Sequence, residues 1–330
     1  MNSPRVLTAE YSNVNVAYSE LWHLLRIFGA EENSRNGRVM VMPGPFITTY
    51  QSPRERVLFD PDRDANPIFH LMEAIWMFAG RDDVEFLTPF NARYEQYADA
   101  DGTAHGAYGK RWRATFGMDQ ILSCLRVLRK DRNSRQAVIT MWDPSLDLER
   151  PEFKDLPCNT TIYVDCRHQK LNMTVCCRSN DMVWGAYGAN VVHFSMLQEV
   201  LAHGMELEMG FYTQISNNAH VYLDLPIVSR HLTSTPQEYD LYETREVVPF
   251  RMFLLGDNVE DFLKECEFFC ANYRYEPNNL FLKMARRLQL AYISRRQGDL
   301  KWTEFMGDLP MRIDWVRAFF DWANRRKNVS

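Results

Sequence analysis

Residues 155–190 constrain this chain more than any other stretch. They read DLPCNTTIYVDC, a polar turn at Arg167-His168-Gln169-Lys170, then LNMTVCC and RSNDMVWGAYGAN. β-Branched and aromatic residues crowd the two flanking segments, which predicts neighbouring strands joined by a tight connection. Such a hairpin brings Cys158, at the start of one strand, to the end where Arg178 and Ser179 follow the other. A thiol, a guanidinium and a hydroxyl then line one mouth. Asn190 opens an apolar, helix-like run to His203, so its amide is expected there too. Nucleophile, anion site and planar amide together point to chemistry on a nucleotide base.

The surrounding chain is long enough for one large domain or two smaller ones. Hydrophobic content of 46% and aromatic content of 13% supply a core and argue against disorder. A net charge of −5 argues against gripping a nucleic-acid backbone, so no nucleic-acid partner is expected. Seven cysteines without framework spacing point to a reducing compartment. No stretch reads as a signal peptide or a membrane span, so a soluble, cytoplasmic setting is expected. Cys124, Cys166, Cys176 and Cys177 read as small buried hydrophobes. Cys266 and Cys270 lie one helical turn apart without a second ligand pair, so they read as core, and no metal is expected.

Along the chain, residues 13–29 have helical spacing and end at Gly29. Glu32 to Gly37 reads as a polar loop carrying Arg35, followed by the strand VMVMP. Residues 45–66, rich in proline and charge, read as an irregular arm. Pro67 to Gly80 (PIFHLMEAIWMFAG) is an apolar helix with proline at its start and glycine at its end. Its single acid, Glu73, sits among apolar residues, so it is either paired or functional. A helix is expected over 81–97, with Tyr94 and Tyr97 one turn apart, then an amphipathic helix from about Met118 to Lys130 and a strand QAVITMW. Beyond His203 come the strand GFYTQIS, a helix beginning near Asn217 and a last strand VVPFRMFLL. From Asp257 onward the pattern is helical. His193, inside the run after Asn190, reads as a core histidine in preference to a pocket residue.

The residue types suit a particular reaction. A thiolate adds to carbon 6 of a polarised pyrimidine, making carbon 5 nucleophilic toward a one-carbon electrophile. Neighbouring arginines are expected to lower the Cys158 pKa. A phosphate needs the arginine cluster, the base edge an amide, and proton traffic a carboxylate.

The combined spacing of Cys158, Arg178-Ser179-Asn180-Asp181, Gly185, Asn190 and His220-x-Tyr222 resembles thymidylate synthase and its pyrimidine hydroxymethylase relatives. YGKRWR (Tyr108 to Arg113), SRQAVITMWDP (Ser134 to Pro144) and the segment around Glu73 extend the resemblance over roughly residues 15–250. It implies an α/β (α+β) fold: a bent mixed sheet flanked by helices, packed back to back in an obligate homodimer. The catalytic unit is expected over 1–255, with a helical extension over 256–330 packed on it. By the same resemblance Cys158 is the nucleophile, and Arg35, Arg178 and Ser179 hold the phosphate. Arg135 reaches the partner's site. Asn190 reads the base, His220 and Tyr222 bind the sugar hydroxyl, and Glu73 orders water for proton transfer. Asp181, Gly185 and Tyr94 are implied at the co-substrate, 5,10-methylenetetrahydrofolate.

Four departures point away from a thymidylate synthase. Tyr94 and Tyr97 stand where the synthases carry tryptophans that shield the C5 methylene from water; a smaller hydroxylated ring leaves room for an attacking water. The chain continues to Arg325-Arg326-Lys327-Asn328-Val329-Ser330 in place of a short apolar tail. Asn159 replaces the usual histidine after the nucleophile, and Gln136 replaces the second crossing arginine. A 5-hydroxymethylase is therefore expected. The base is less constrained, because a side-chain amide pairs with uracil in one orientation and cytosine in the other. GAYGAN carries one residue more than the synthases before Asn190, and WGAYGANVVHFS resembles CMP hydroxymethylases of nucleoside-antibiotic pathways and actinophage relatives. A cytosine nucleotide, CMP or dCMP, is accordingly the expected substrate, with dUMP the alternative.

Overall fold

The computed structural model describes residues 5–149, 153–234 and 239–326. Six strands form a mixed sheet in the order β1 (Leu7–Tyr11), β4 (Phe46–Tyr50), β9 (Glu208–Ser216), β7 (Lys170–Cys177), β6 (Asn159–Arg167) and β5 (Val138–Thr140). A second sheet orders β2 (Ala30–Ser34), β3 (Gly37–Val41), β10 (Ala219–Tyr222) and β8 (Asn180–Asp181). The hairpin read from the sequence is present. β6 and β7 pair antiparallel, with Ile162 opposite Val175. His168 and Gln169 take positive φ values of 50° and 60° at its two-residue turn, as the twist of a tight hairpin demands. Ile162, Val164, Leu171, Met173 and Val175 are buried on one face, while Tyr163 points outward. The register slips between Asn159 and Thr161, so a bulge follows Cys158 directly.

Helices cover the inner face. Asn13 caps the helix Val14–Phe28, and Pro67–Phe78 begins on proline with Asn66 as cap. The helix Asn190–Gly204 is buried on nearly every side. It packs against Pro67–Phe78, setting Glu73 and Asn190 in one interior layer. The C-terminal helices Val259–Ala271, Leu280–Arg296 and Asp314–Arg325 also lean on Pro67–Phe78. One continuous apolar core runs from Val14 to Ala323. Lys327 to Ser330 of the basic tail lie outside the described residues.

Several expectations need correction. The stretch 45–66 is not an irregular arm throughout, because Phe46–Tyr50 is an interior strand with alternating burial. Prolines and charges on both sides hid five good strand residues. Glu32 to Gly37 is the tip of the β2–β3 hairpin; β2 is exposed at every position and so carries no apolar pattern. Residues 81–97 form turns and a short 3₁₀ helix, Ala92–Tyr97, after Pro89 and Asn91 interrupt the helical spacing. The segment after Asn217 is strand β10, and the helix starts only at Pro226. Among the described residues VVPFRMFLL pairs only through a bridge from Val248 to Ile313, since Pro249 removes a ladder donor. Cys166 and Cys176 are half-buried, unlike the core residues Cys124, Cys177, Cys266 and Cys270.

Candidate active site

Cys158 sits where the loop enters β6. The Arg178 backbone N–H, just past β7, donates to its carbonyl at 2.8 Å. The Tyr108 hydroxyl accepts from the backbone N–H groups of both Cys158 and Asn159 at 3.1 Å, pinning the nucleophile's loop. The Arg178 guanidinium donates to the carbonyls of Pro157 (2.9 Å) and Leu156 (3.2 Å), beside the thiol. Arg35, exposed at the β2–β3 tip, is near enough to favour the thiolate, as does Arg178. Burial nevertheless outweighs both arginines and raises the Cys158 pKa above its usual value, against the sequence expectation. Alone, the site holds a thiol.

The second sheet brings further residues to this end of the molecule. His220 and Tyr222 occupy β10, their rings 5.3 Å apart, and His220 lies opposite Asp181 of β8. The Asp181 Oδ1 accepts from the N–H groups of Val183 (2.8 Å) and Trp184 (2.7 Å), while its buried Oδ2 has no partner among the described residues. Ser179 is half-buried next to Arg178. Arg135 is exposed ahead of edge strand β5 and makes no side-chain hydrogen bond or ion pair among the described residues.

Asn190 is held by a chain of amides. Its Oδ1 accepts from Asn159 Nδ2 at 3.2 Å, and its Nδ2 donates to Asn180 Oδ1 at 3.0 Å. The chain ends on hydroxyls: Asn159 Nδ2 reaches Tyr108 Oη at 3.0 Å, and Asn180 Nδ2 reaches Ser216 Oγ at 2.9 Å. Each Asn190 amide atom keeps one free hydrogen-bonding position. The additional residue before Asn190 falls in a π-helical stretch, Met182–Ala189, kinked at Tyr187 and Gly188. Gly185 has a local reason to be glycine, since a Cβ there would lie 2.7 Å from Asn180 Oδ1 and 3.3 Å from Asn190 Nδ2. A side chain at 185 would collide with the amide pair that holds Asn190.

Glu73 is buried, and desolvation pushes its pKa up to about 8. The Tyr94 hydroxyl lies close enough to favour the charged form, but burial outweighs it. Tyr94 packs on Trp76 and Phe69, with Tyr97 5.9 Å away and 43% exposed at the rim. His193 Nε2 lies 3.3 Å from Glu73 Oε2, a contact that the core reading of this histidine did not anticipate. Asp155, whose carboxyl is pushed up by burial, acts electrostatically on both Glu73 and Cys158. Sequence reasoning assigned no role to Tyr108, Asp155 or Asn180. Tyr108 lies in YGKRWR and Asn180 in RSND, yet neither string signals a contact to a residue 10 to 50 positions away.

Two sheets meet at a thiol, with a fixed amide and a buried carboxyl behind it, a candidate thiol-centred site. The chain belongs to the thymidylate synthase family, whose model matches residues 65–277. It is 48% identical over 211 residues to the deoxyuridylate hydroxymethyltransferase of Pseudomonas phage M6, covering 64% of this chain and 60% of that protein. It is 34% identical over 190 residues to the protein of the same name from Bacillus phage SP01, covering 54% and 50% respectively. These matches thus span half to three-fifths of the relatives' own length. The thymidylate synthase from T4 phage shares the fold, with a TM-score of 0.56 at 20% identity over 68% of this chain and 81% of that one.

Proposed function

We propose that this protein is a folate-dependent pyrimidine nucleotide 5-hydroxymethylase whose substrate is dUMP. The observation that carries the reading is a tyrosine, Tyr94, set beside the buried Glu73. A hydroxylated ring, in place of an indole, puts polar groups where water must reach the C5 methylene. The sequence reading leaned to a cytosine nucleotide. The names of the phage relatives support the uracil alternative, and Asn190 keeps one donor and one acceptor, a set that pairs with either base.

In this reading Arg178, Ser179 and Arg35 bind the phosphate, joined by Arg135 of a second subunit, and His220 with Tyr222 takes the sugar hydroxyl. Arg178 already holds the carbonyls flanking Cys158, so phosphate binding and thiol placement are mechanically linked. Cys158 adds to carbon 6 as its proton leaves, and the amide chain keeps Asn190 square to the base. The Asp181 environment suits a reduced pterin. The unpartnered Oδ2 accepts ring N–H groups, and Trp184, 46% exposed over the Arg63 guanidinium at 4.0 Å, offers a flat face. Bound there, methylenetetrahydrofolate supplies a one-carbon unit at the formaldehyde level.

The test is mass spectrometry of products from dUMP, UMP, dCMP and CMP, each incubated with methylenetetrahydrofolate. A 5-hydroxymethyl product from dUMP, with no dihydrofolate formed, supports the reading. A methyl product with dihydrofolate would make the protein a thymidylate synthase, and a hydroxymethyl product from CMP or dCMP alone would restore the cytosine substrate. Cys158→Ala is expected to abolish tritium release from carbon 5 while nucleotide still binds.

A further inference from the structure

Two helices face each other behind the thiol, each presenting a pair of side chains one turn apart. His70 and Glu73 come from Pro67–Phe78, and Asn190 and His193 from Asn190–Gly204. His193 is 3% exposed and Glu73 9%. Their atoms Nε2 and Oε2 lie 3.3 Å apart, yet neither has a properly aligned hydrogen-bond partner. Two buried polar atoms side by side without partners mark a place where a third group belongs. One oxygen at roughly 2.8 Å from both satisfies the pair. Asn190 lies one helical turn from His193, so that oxygen sits near the base Asn190 would read.

We infer that His193 is a further catalytic residue, which with Glu73 holds the water that captures the C5 methylene. This rests on the 5-hydroxymethylase reading. With its proton on Nδ1, the His193 ring presents Nε2, the atom 3.3 Å from Glu73 Oε2, as a lone pair. Burial lowers the His193 pKa to about 4, so the ring is neutral at rest and takes a proton only once the attacking water has become strongly acidic on bonding to carbon. Glu73, its pKa raised, donates to the water oxygen instead of competing for its hydrogens.

The step balances. The water oxygen bonds to the exocyclic carbon, and one water proton passes to His193 Nε2. The exocyclic double-bond pair moves inward to form the C5–C6 double bond. The C6–S bond breaks, and Cys158 leaves as thiolate, which takes up the proton when the imidazolium releases it. The C5 substituent becomes CH2OH with no oxidation or reduction.

The experiment compares wild type, His193→Gln and His193→Ala, using dUMP tritiated at carbon 5 with methylenetetrahydrofolate and 2-mercaptoethanol. The wild type is measured first. If it yields no hydroxymethyl product, the underlying reading fails, whatever His193 does. Given that product, both variants are expected to release tritium within about threefold of wild type. Their hydroxymethyl yield should fall roughly 100-fold, a typical loss for one general base. The stranded methylene should appear as a thioether with the added thiol, and imidazole should restore hydroxymethyl product to His193→Ala. A parallel fall in tritium release and product, without thioether, would make His193 structural and overturn the inference. An unchanged hydroxymethyl yield would overturn it as well.

Discussion

Asn190 is fixed from both sides, and under the proposed function the direction of its amide sets which base it pairs with. Asn180 Oδ1 holds its Nδ2, so removing Asn180 frees the amide to turn. Asn180→Ala is expected to lower the ratio of kcat/KM for dUMP over dCMP about tenfold, the worth of one buried hydrogen bond. An unchanged ratio would show that something other than this chain orients Asn190. Cys158, Arg178, Ser179 and Asn190 could be placed at one mouth from the sequence because they stand at ends of elements whose pattern was plain, whereas Asp181, His220 and Tyr222 came only through the family resemblance, β10 having read as a helix. Tyr108, Asn159 and Asn180 act through contacts across the fold, to which local pattern is blind. The Cys158 pKa was misjudged for the same reason: arginines show in the sequence, whereas the burial that outweighs them does not.

The hairpin β6–β7 was legible because both strands alternate cleanly and the turn is short. Strand β4 was not, since five residues between prolines and charges give too short a period to read. The C-terminal helices were legible as helices, but not their anchorage. Asp314 starts the last of them, buried, accepting from the Tyr242 hydroxyl at 2.9 Å and the Phe250 N–H at 3.2 Å. Burial raises its pKa to about 7, and that of Glu73 to about 8. Each carboxyl holds a proton in the folded state that the unfolded chain has released above its ordinary pKa of 3.8 or 4.5. This contribution to stability is complete below those values and is lost as pH rises through the folded-state pKa. Urea midpoints are therefore expected to fall between pH 5 and about 8. Asp314→Asn should flatten the part below about pH 7 and Glu73→Gln the part extending to about 8. Slopes equal to wild type in both variants would mean that other groups carry the titration.

Across the whole molecule, the outer face of the six-stranded sheet exposes Val138 (42%), Tyr163 (51%) and Phe211 (50%), an apolar surface that a single chain leaves open. Arg135 stands beside it ahead of β5, exposed and without a partner among the described side chains. A twofold axis through that face would pair the sheets back to back and carry each Arg135 toward the other chain. The consequence is specific. Arg135→Ala and Cys158→Ala homodimers should each be nearly inactive, one lacking a phosphate ligand and the other the nucleophile. In a mixed dimer, the chain with Arg135→Ala keeps Cys158 and receives an intact Arg135 from its neighbour, so one site of two is whole. Random reassortment makes half the dimers mixed, and activity should recover to about a quarter of wild type. Tyr163→Asp on both chains, placing charge in the sheet face, should abolish that recovery and give monomers in ultracentrifugation. If the mixture stays inactive while exchange of labelled subunits is demonstrated, Arg135 serves its own chain, and each site is complete within one subunit.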